Sequence, residues 1–300
     1  MSSFTDALSA GPIVLDGGTL LEARGHDLSS SLWSARLLIE DPQAIRRAHA
    51  EFFDAGARVA ISSSYQLSHT GLDAAGLGRS QADAMLARSV HLAREARDEA
   101  GLDPGAAWIA ASVGPYGATL ADGSEYTGDY GLGVAELRAW HRPRLRALAA
   151  AGPDVIAVET VPSLAELEAL CRELDGLGIP AWVSVTIADG GLRSGESLAE
   201  AFAVAASVPE VVAVGVNCCD AADVSGALEV VAATGRPGIA YPNSGEQWHA
   251  DSREWSGTAS AIATGAASWV AGGARLVGGC CRVGPDQIAE IAREVSASEK

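Results

Sequence analysis

The stretch Val211-Val212-Ala213-Val214-Gly215-Val216-Asn217-Cys218-Cys219, followed by a helical pattern over residues 221–233, decides how the chain is read. Its apolar residues run on without polar alternation. A strand of that kind is buried on both faces, as strands of a helix-covered parallel sheet are. It then ends abruptly in an amide and two thiols. Upstream the same unit recurs. Residues 12–16 read as a strand, and Asp41-Pro42 then opens a helix, with proline at its first position, that Gly56 stops. Strands at 58–62, 108–113, 154–158 and 181–186 precede helical patterns at 81–100, 134–151, one opened by Ser163, and 197–206. Ser163 is placed to cap its helix, with Glu166 where it completes a capping box. Downstream, strands at 237–241 and 275–277 precede helices at 258–271 and 285–295. Eight strand–helix units predict an α/β fold, a (β/α)8 TIM barrel, as a single domain over residues 1–300. An open doubly wound sheet is the alternative, but no GxGxxG follows the first strand.

Composition agrees with this and narrows the partners. Hydrophobic residues make up 48% of the 300, enough for a sizeable core, and the 34 glycines suit many tight turns. A net charge of −17 repels phosphate backbones, so no nucleic-acid partner is expected. No window approaches the roughly 18 uninterrupted apolar residues of a membrane helix. The segment Met1-Ser2-Ser3-Phe4-Thr5-Asp6 does not read as a signal peptide. A cytoplasmic protein without membrane contact is expected. The oligomeric state, monomer or dimer, is not fixed by the sequence.

Barrel active sites lie at the C-terminal ends of the strands. The residues predicted there are Asp16-Gly17-Gly18, Ser63-Ser64-Tyr65, Glu159-Thr160, Asn217-Cys218-Cys219, Tyr241 with Asn243, and Gly278-Gly279-Cys280-Cys281. Four of the five cysteines form two adjacent pairs at two strand ends. Clustered thiols in a reducing compartment bind metal or do chemistry more often than they form disulfides. A catalytic zinc site takes three protein ligands and keeps a position open. Cys280 and Cys281 can both donate if the backbone turns sharply, which Gly278-Gly279 permits. Spacing leaves the third ligand open between Cys218 and Cys219. Burial as small hydrophobes is the plainer reading, and it is the one given to the isolated Cys171. No C-x-x-C spacing supports a redox disulfide.

Asp16 and Glu159 each end an apolar strand, where a carboxylate needs a cation or hydrogen-bond donors. Together at one mouth they suggest a site for a substrate ammonium; singly, each could cap a loop or helix. His26, His49, His69, His141 and His249 lack metal-ligand spacing and read as surface or packing residues. Residues 114–133 form a long Gly-rich connection of the kind that is functional or disordered.

These residues resemble the homocysteine S-methyltransferase family. The resemblance rests on Asp16-Gly17-Gly18-Thr19, Leu21-Glu22-Ala23-Arg24-Gly25, Leu32-Trp33-Ser34-Ala35, His49, Ala55-Gly56-Ala57 and Ser64-Tyr65-Gln66. It continues through Glu159-Thr160-Val161-Pro162, Gly215-Val216-Asn217-Cys218, Tyr241-Pro242-Asn243-Ser244-Gly245-Glu246 and Gly278-Gly279-Cys280-Cys281-Arg282. It implies one Zn2+ per chain on Cys218, Cys280 and Cys281, with Cys219 a neighbour only. It implies that Asp16 and Glu159 receive the amino group of homocysteine, and that backbone N–H groups around Gly17 and Gly18 receive its carboxylate. Asn217 joins the substrate set. Tyr65 matches a tyrosine that fills the open metal position when substrate is absent. Trp33 matches a position that meets the cationic donor in the betaine branch, where cation–π attraction would be worth about 0.5–2 kcal/mol; packing of its loop is the plainer reading.

Within the family, Tyr241 to Glu246 looks like the branch whose sulfonium donor is S-methylmethionine. Thr160 departs from the betaine branch, which has an aromatic residue there. The remaining alternatives are another donor such as S-adenosylmethionine or betaine, a thiol or selenol acceptor other than homocysteine, or a zinc protein without activity. A free thiol titrates near about 8.5, so neutral-pH chemistry needs a means of making the thiolate. Zinc supplies it, and three cysteine thiolates around the ion would keep the bound sulfur electron-rich.

Overall fold

A computed structural model of the chain describes residues 2–18, 21, 34–120, 122–249, 254–256 and 262–298. One sheet holds eight parallel strands: β1 (Ile13–Val14), β2 (Val59–Ile61), β3 (Trp108–Val113), β4 (Val155–Val161), β5 (Ala181–Val185), β6 (Val211–Asn217), β7 (Gly238–Tyr241) and β8 (Ala274–Val277). Their spatial order follows the chain, and β8 pairs with β1 at Leu276–Ile13 and Val277–Val14. The ring closes through a parallel bridge between Leu15 and Val59, where the Asp16 N–H donates to the Val59 carbonyl at 3.1 Å. The fold is a (β/α)8 barrel.

Parallel neighbours cannot be joined by tight turns, and helices supply the crossovers. The helices among the described residues are α1 (Phe4–Ala10), which precedes the first strand, α2 (Ser34–Glu40), α3 (Pro42–Asp54), α4 (His69–Ala74), α5 (Arg79–Glu99), α6 (Val134–Ala150), α7 (Leu164–Leu174), α8 (Leu198–Ala206), α9 (Val224–Ala232), α10 (Ala263–Ala271) and α11 (Pro285–Ser298), which follows the last. The Asp41 carboxylate caps α3 through the Ala44 N–H at 3.1 Å, with Pro42 at the first position. Residues 221–223 form a 3-10 turn rather than the first turn of α9. The predicted start of α10 at 258 lies outside the described residues.

The capping box expected at Ser163 is half formed. Its hydroxyl accepts from the Glu166 N–H at 3.4 Å, but the Glu166 carboxylate does not return to the cap. It turns inward, where it accepts from the Tyr116 N–H at 2.6 Å and meets His141 Nε2 at 2.8 Å.

The barrel interior alternates large and small side chains, as a narrow closed sheet requires. Trp108 and Trp182 fill it beside Ala110, Ala157 and Ala213. The unanticipated α1 closes the N-terminal end. Phe4 and Leu8 join the interior cluster, and the Phe4 ring lies 6.0 Å from Trp108 and 6.1 Å from Trp182. The opposite end, where all eight strands finish, is therefore the open one. No helix among the described residues is long and apolar enough to cross a membrane.

Candidate active site

Two strand ends deliver three thiols to one point. Cys218 follows β6 with φ 51°, a left-handed conformation uncommon for a side chain with a Cβ. Neighbouring strands hold it there: its N–H donates to the Tyr241 carbonyl at 3.3 Å, and its carbonyl accepts from Thr186 Oγ1 at 3.1 Å. After β8, the Cys280 N–H donates to the Pro242 carbonyl at 2.8 Å and the Cys281 N–H to Asn243 Oδ1 at 3.1 Å. The Asn243 N–H reaches the Cys219 carbonyl at 3.0 Å. The turn after β7 thus grips both cysteine loops. The sulfurs of Cys218, Cys280 and Cys281 all lie within 4.8 Å of one another. Those of Cys218 and Cys281 are 3.7 Å apart.

Glycine serves this turn by leaving space. Neither Gly278 nor Gly279 has a positive φ, contrary to the flexibility argued from the sequence. A Cβ on Gly279 would lie 2.1 Å from Val283 Cγ1. Cys219 is buried in the outer core, and burial pushes its thiol up. Cys171 is also packed in that core, with its thiol raised to about 12 by burial. The Cys218 thiol, by contrast, is held well below the usual range by hydrogen bonding with Cys280, then Cys281 and Tyr126, and by the charge of Arg193.

Asp16 and Glu159 line the same cavity as the three cysteines. Asp16 Oδ2 accepts from the Ile61 N–H at 2.8 Å. Glu159 accepts from the hydroxyl of Ser112 and from that of Tyr241 at 3.2 Å. Both carboxyls are nine-tenths buried or more, and no cationic side chain pairs with them among the described residues. Burial, with the Glu159 charge nearby, raises Asp16 well above the carboxylate range. Burial lifts Glu159 to about 7. Such a pair favours an incoming ammonium, which would restore the charged forms.

Three expectations need correction or placement. Asn217 is wholly buried and is not a wall of the cavity. Its Oδ1 accepts from the Thr160 N–H at 2.7 Å and the Ser184 hydroxyl at 2.8 Å, and its Nδ2 donates to Thr160 Oγ1 at 2.8 Å. It clamps the ends of β4 and β6, with Thr160 held at φ 60°. The Gly18 N–H already donates to the Cys280 carbonyl at 3.0 Å, so it is not free for a substrate carboxylate. Gly17 is needed for space, because a Cβ there would sit 2.2 Å from the Val283 carbonyl oxygen. Trp33 lies outside the described residues.

The long connection after β3 brings side chains that sequence reasoning missed. Gly123 at φ 84° turns the chain into a short 3-10 segment, Ser124–Tyr126. Tyr126 reaches across the mouth to place its hydroxyl 3.3 Å from Cys218 Sγ. Arg193, on the loop after β5, lies over the Tyr126 ring with its guanidinium carbon 5.5 Å from the ring centre. Tyr65 lines the cavity too, its phenol pushed up by burial, but the tyrosine in contact with a cysteine sulfur is Tyr126. Glu125 lines the cavity beside it and is raised to about 7 by burial. The signal in the sequence was the length of residues 114–133, which marked the segment and not its residues.

The sequence model of the homocysteine S-methyltransferase family matches residues 13–295. The Escherichia coli homocysteine S-methyltransferase is 44% identical, with 93% of this chain and 94% of that protein covered. The Bacillus subtilis homocysteine S-methyltransferase YbgG is 43% identical, covering 93% of each. This chain belongs to the homocysteine S-methyltransferase family. The metallated form of the Escherichia coli homocysteine methyltransferase MmuM superposes with a TM-score of 0.84 at 41% identity, over 94% of this chain and 96% of that one. A methyltransferase from Methanosarcina mazei, 11% identical at a TM-score of 0.61, shares the fold. As a homocysteine S-methyltransferase the chain is an enzyme. Its three converging sulfurs are a soft donor set with the chemistry a thiophilic divalent ion requires.

Proposed function

We propose that this enzyme transfers a methyl group from S-methylmethionine to L-homocysteine, giving methionine, with one Zn2+ held by Cys218, Cys280 and Cys281. One observation carries the reading. Three thiol sulfurs within 4.8 Å share a cavity with two buried carboxyls, Asp16 and Glu159, that pair with no cation among the described residues. Homocysteine is a small molecule with both a thiol for the first group and an ammonium for the second.

When bound, zinc supplies the Lewis acidity that releases the thiol proton of homocysteine at neutral pH. The chain's residues do the rest. Asp16 and Glu159 bind the ammonium and so fix the direction of the amino acid. Ser112, Tyr241 and the Ile61 N–H hold the two carboxylates in place. The homocysteine thiolate attacks the methyl carbon of the sulfonium in line. A sulfur–carbon bond forms, the donor's sulfur–methyl bond breaks with its electron pair retained on that sulfur, and a neutral thioether leaves. No general acid is needed. Positioning two substrates in one cavity supplies a large share of the rate. Tyr126, hydroxyl toward Cys218, covers the mouth and would be displaced by the incoming thiol.

The test is a donor panel with zinc-loaded protein and homocysteine. S-methylmethionine is expected to give the highest kcat/KM for methionine formation, above S-adenosylmethionine and betaine. Betaine as the better donor would overturn the choice of donor. Methionine from none of them would overturn the reaction.

A further inference from the structure

Among the described residues three carboxylates line the cavity: Asp16, Glu159 and Glu125. The first two are engaged by the donors of Ile61, Ser112 and Tyr241. Glu125 differs. It comes from the loop, one residue before the tyrosine that touches Cys218, and its Oε2 is buried without a hydrogen-bond partner among the described residues. A carboxylate oxygen removed from water with no donor is costly to keep. The guanidinium on this side, Arg193, is engaged elsewhere, over the Tyr126 ring and donating to Thr186 Oγ1 at 3.3 Å.

We infer that Glu125 is the carboxylate that receives the positive sulfur of the methyl donor, and so selects cationic donors over neutral methyl carriers. This rests on the sulfonium donor proposed above. A sulfonium has no N–H or O–H to offer. A carboxylate with one oxygen left without a hydrogen-bond partner among the described residues suits it better than one held in a network of side-chain and strand donors. The rings of Tyr65 and Tyr126, on the walls of the same cavity, add faces that attract a cation. Homocysteine brings one ammonium, which Asp16 and Glu159 accommodate. The donor brings a sulfonium and an α-ammonium of its own; the sulfonium is the one that must lie beside the homocysteine sulfur at the cysteine cluster, where Glu125, next to Tyr126, is the remaining carboxylate of the described wall.

The charge bookkeeping of the reaction gives the role a kinetic signature. As the methyl group moves to the thiolate, the sulfonium charge disappears. Attraction to Glu125 is therefore strongest before the transition state and fades on the way to it. Such an interaction lowers the donor KM and does not raise kcat. A residue that only shapes the loop would disturb kcat, the homocysteine KM, or both.

The experiment uses the zinc-loaded full chain, Glu125→Gln and Glu125→Asp. Each substrate is varied against the other at saturation, and binding of trimethylsulfonium ion, which has no ammonium, is measured by calorimetry. Glu125→Gln is expected to raise the donor KM and weaken trimethylsulfonium binding, each by about tenfold. Its kcat is expected to stay within about threefold, with homocysteine KM and zinc content unchanged and Glu125→Asp recovering part of the donor KM. An unchanged donor KM, or a parallel rise in both KM values, would overturn the inference. If the wild-type chain makes no methionine from S-methylmethionine, the donor reading fails by itself. Trimethylsulfonium binding then decides Glu125: weakening in Glu125→Gln upholds a cation contact there, and equal binding, or none to the wild type, overturns it.

Discussion

Cys218 adopts its φ of 51° because four neighbours hold it there: Tyr241 and Thr186 on its backbone, and Tyr126 and Cys281 on its sulfur. Asn217, the residue before it, ties this corner to Thr160. Supports of this kind govern metal affinity, so Asn217→Ala is expected to weaken zinc binding by about 10–100-fold, read by chelator competition. A second prediction at this scale concerns His49. It is buried, its Nε2 lacks a hydrogen-bond partner among the described residues, and burial depresses it to about 4. The unfolded chain takes up that proton near pH 6.5 and the folded chain only near 4, so His49 costs stability as pH falls through that window. Between pH 7 and 5 the wild type is expected to lose about 2 kcal/mol through this residue. Urea unfolding of His49→Gln at the two pH values should show that loss removed. The candidate metal ligands were legible as thiols at strand ends. Spacing did not choose Cys218 over Cys219, because adjacent residues share it; the family resemblance made that choice, and in the structure the backbone turn separates the two.

At the scale of elements, the connection after β3 is the part least visible in the sequence. Its base is fastened to a buried network. Glu166 accepts from the Tyr116 N–H at 2.6 Å and meets His141, whose Nδ1 lies 3.1 Å from the Arg144 guanidinium. Arg144 in turn donates to the carbonyls of Gly114 and Leu67. Removing one member of such a network strands the others without water. Glu166→Ala is expected to cost about 3–5 kcal/mol, read in chemical denaturation, and to lower turnover by releasing Tyr126. A loss of stability with turnover per folded molecule unchanged would detach this network from the site. Local patterns could not show any of this. Glu166 looked like a helix cap because its spacing from Ser163 fits one, while its partners come from 25 and 50 residues away. The strands were legible for the opposite reason: buried parallel strands are written as continuous apolar runs. Their ends shifted by a residue or more, as at β1, where pairing narrows to two residues.

For the whole molecule, the eight-fold alternation set the architecture, and the closed ring set where chemistry can occur. The seven-residue α1 was too short for periodicity to reveal, yet it makes the lower end a plug. Phe4→Ala is expected to cost about 3–5 kcal/mol in unfolding free energy, with kcat unchanged in the folded fraction, because the plug and the site lie at opposite ends. With that end closed, cysteines from β6 and β8 and carboxyls from β1 and β4 meet at the other. The most direct test of a thiolate-held metal centre that methylates homocysteine is zinc content measured together with methionine formation, in the wild type and in Cys280→Ser. One zinc per wild-type chain is expected, with methionine formed from homocysteine and S-methylmethionine, and both lost in the variant. Methionine formation at the wild-type rate by zinc-free Cys280→Ser would contradict it.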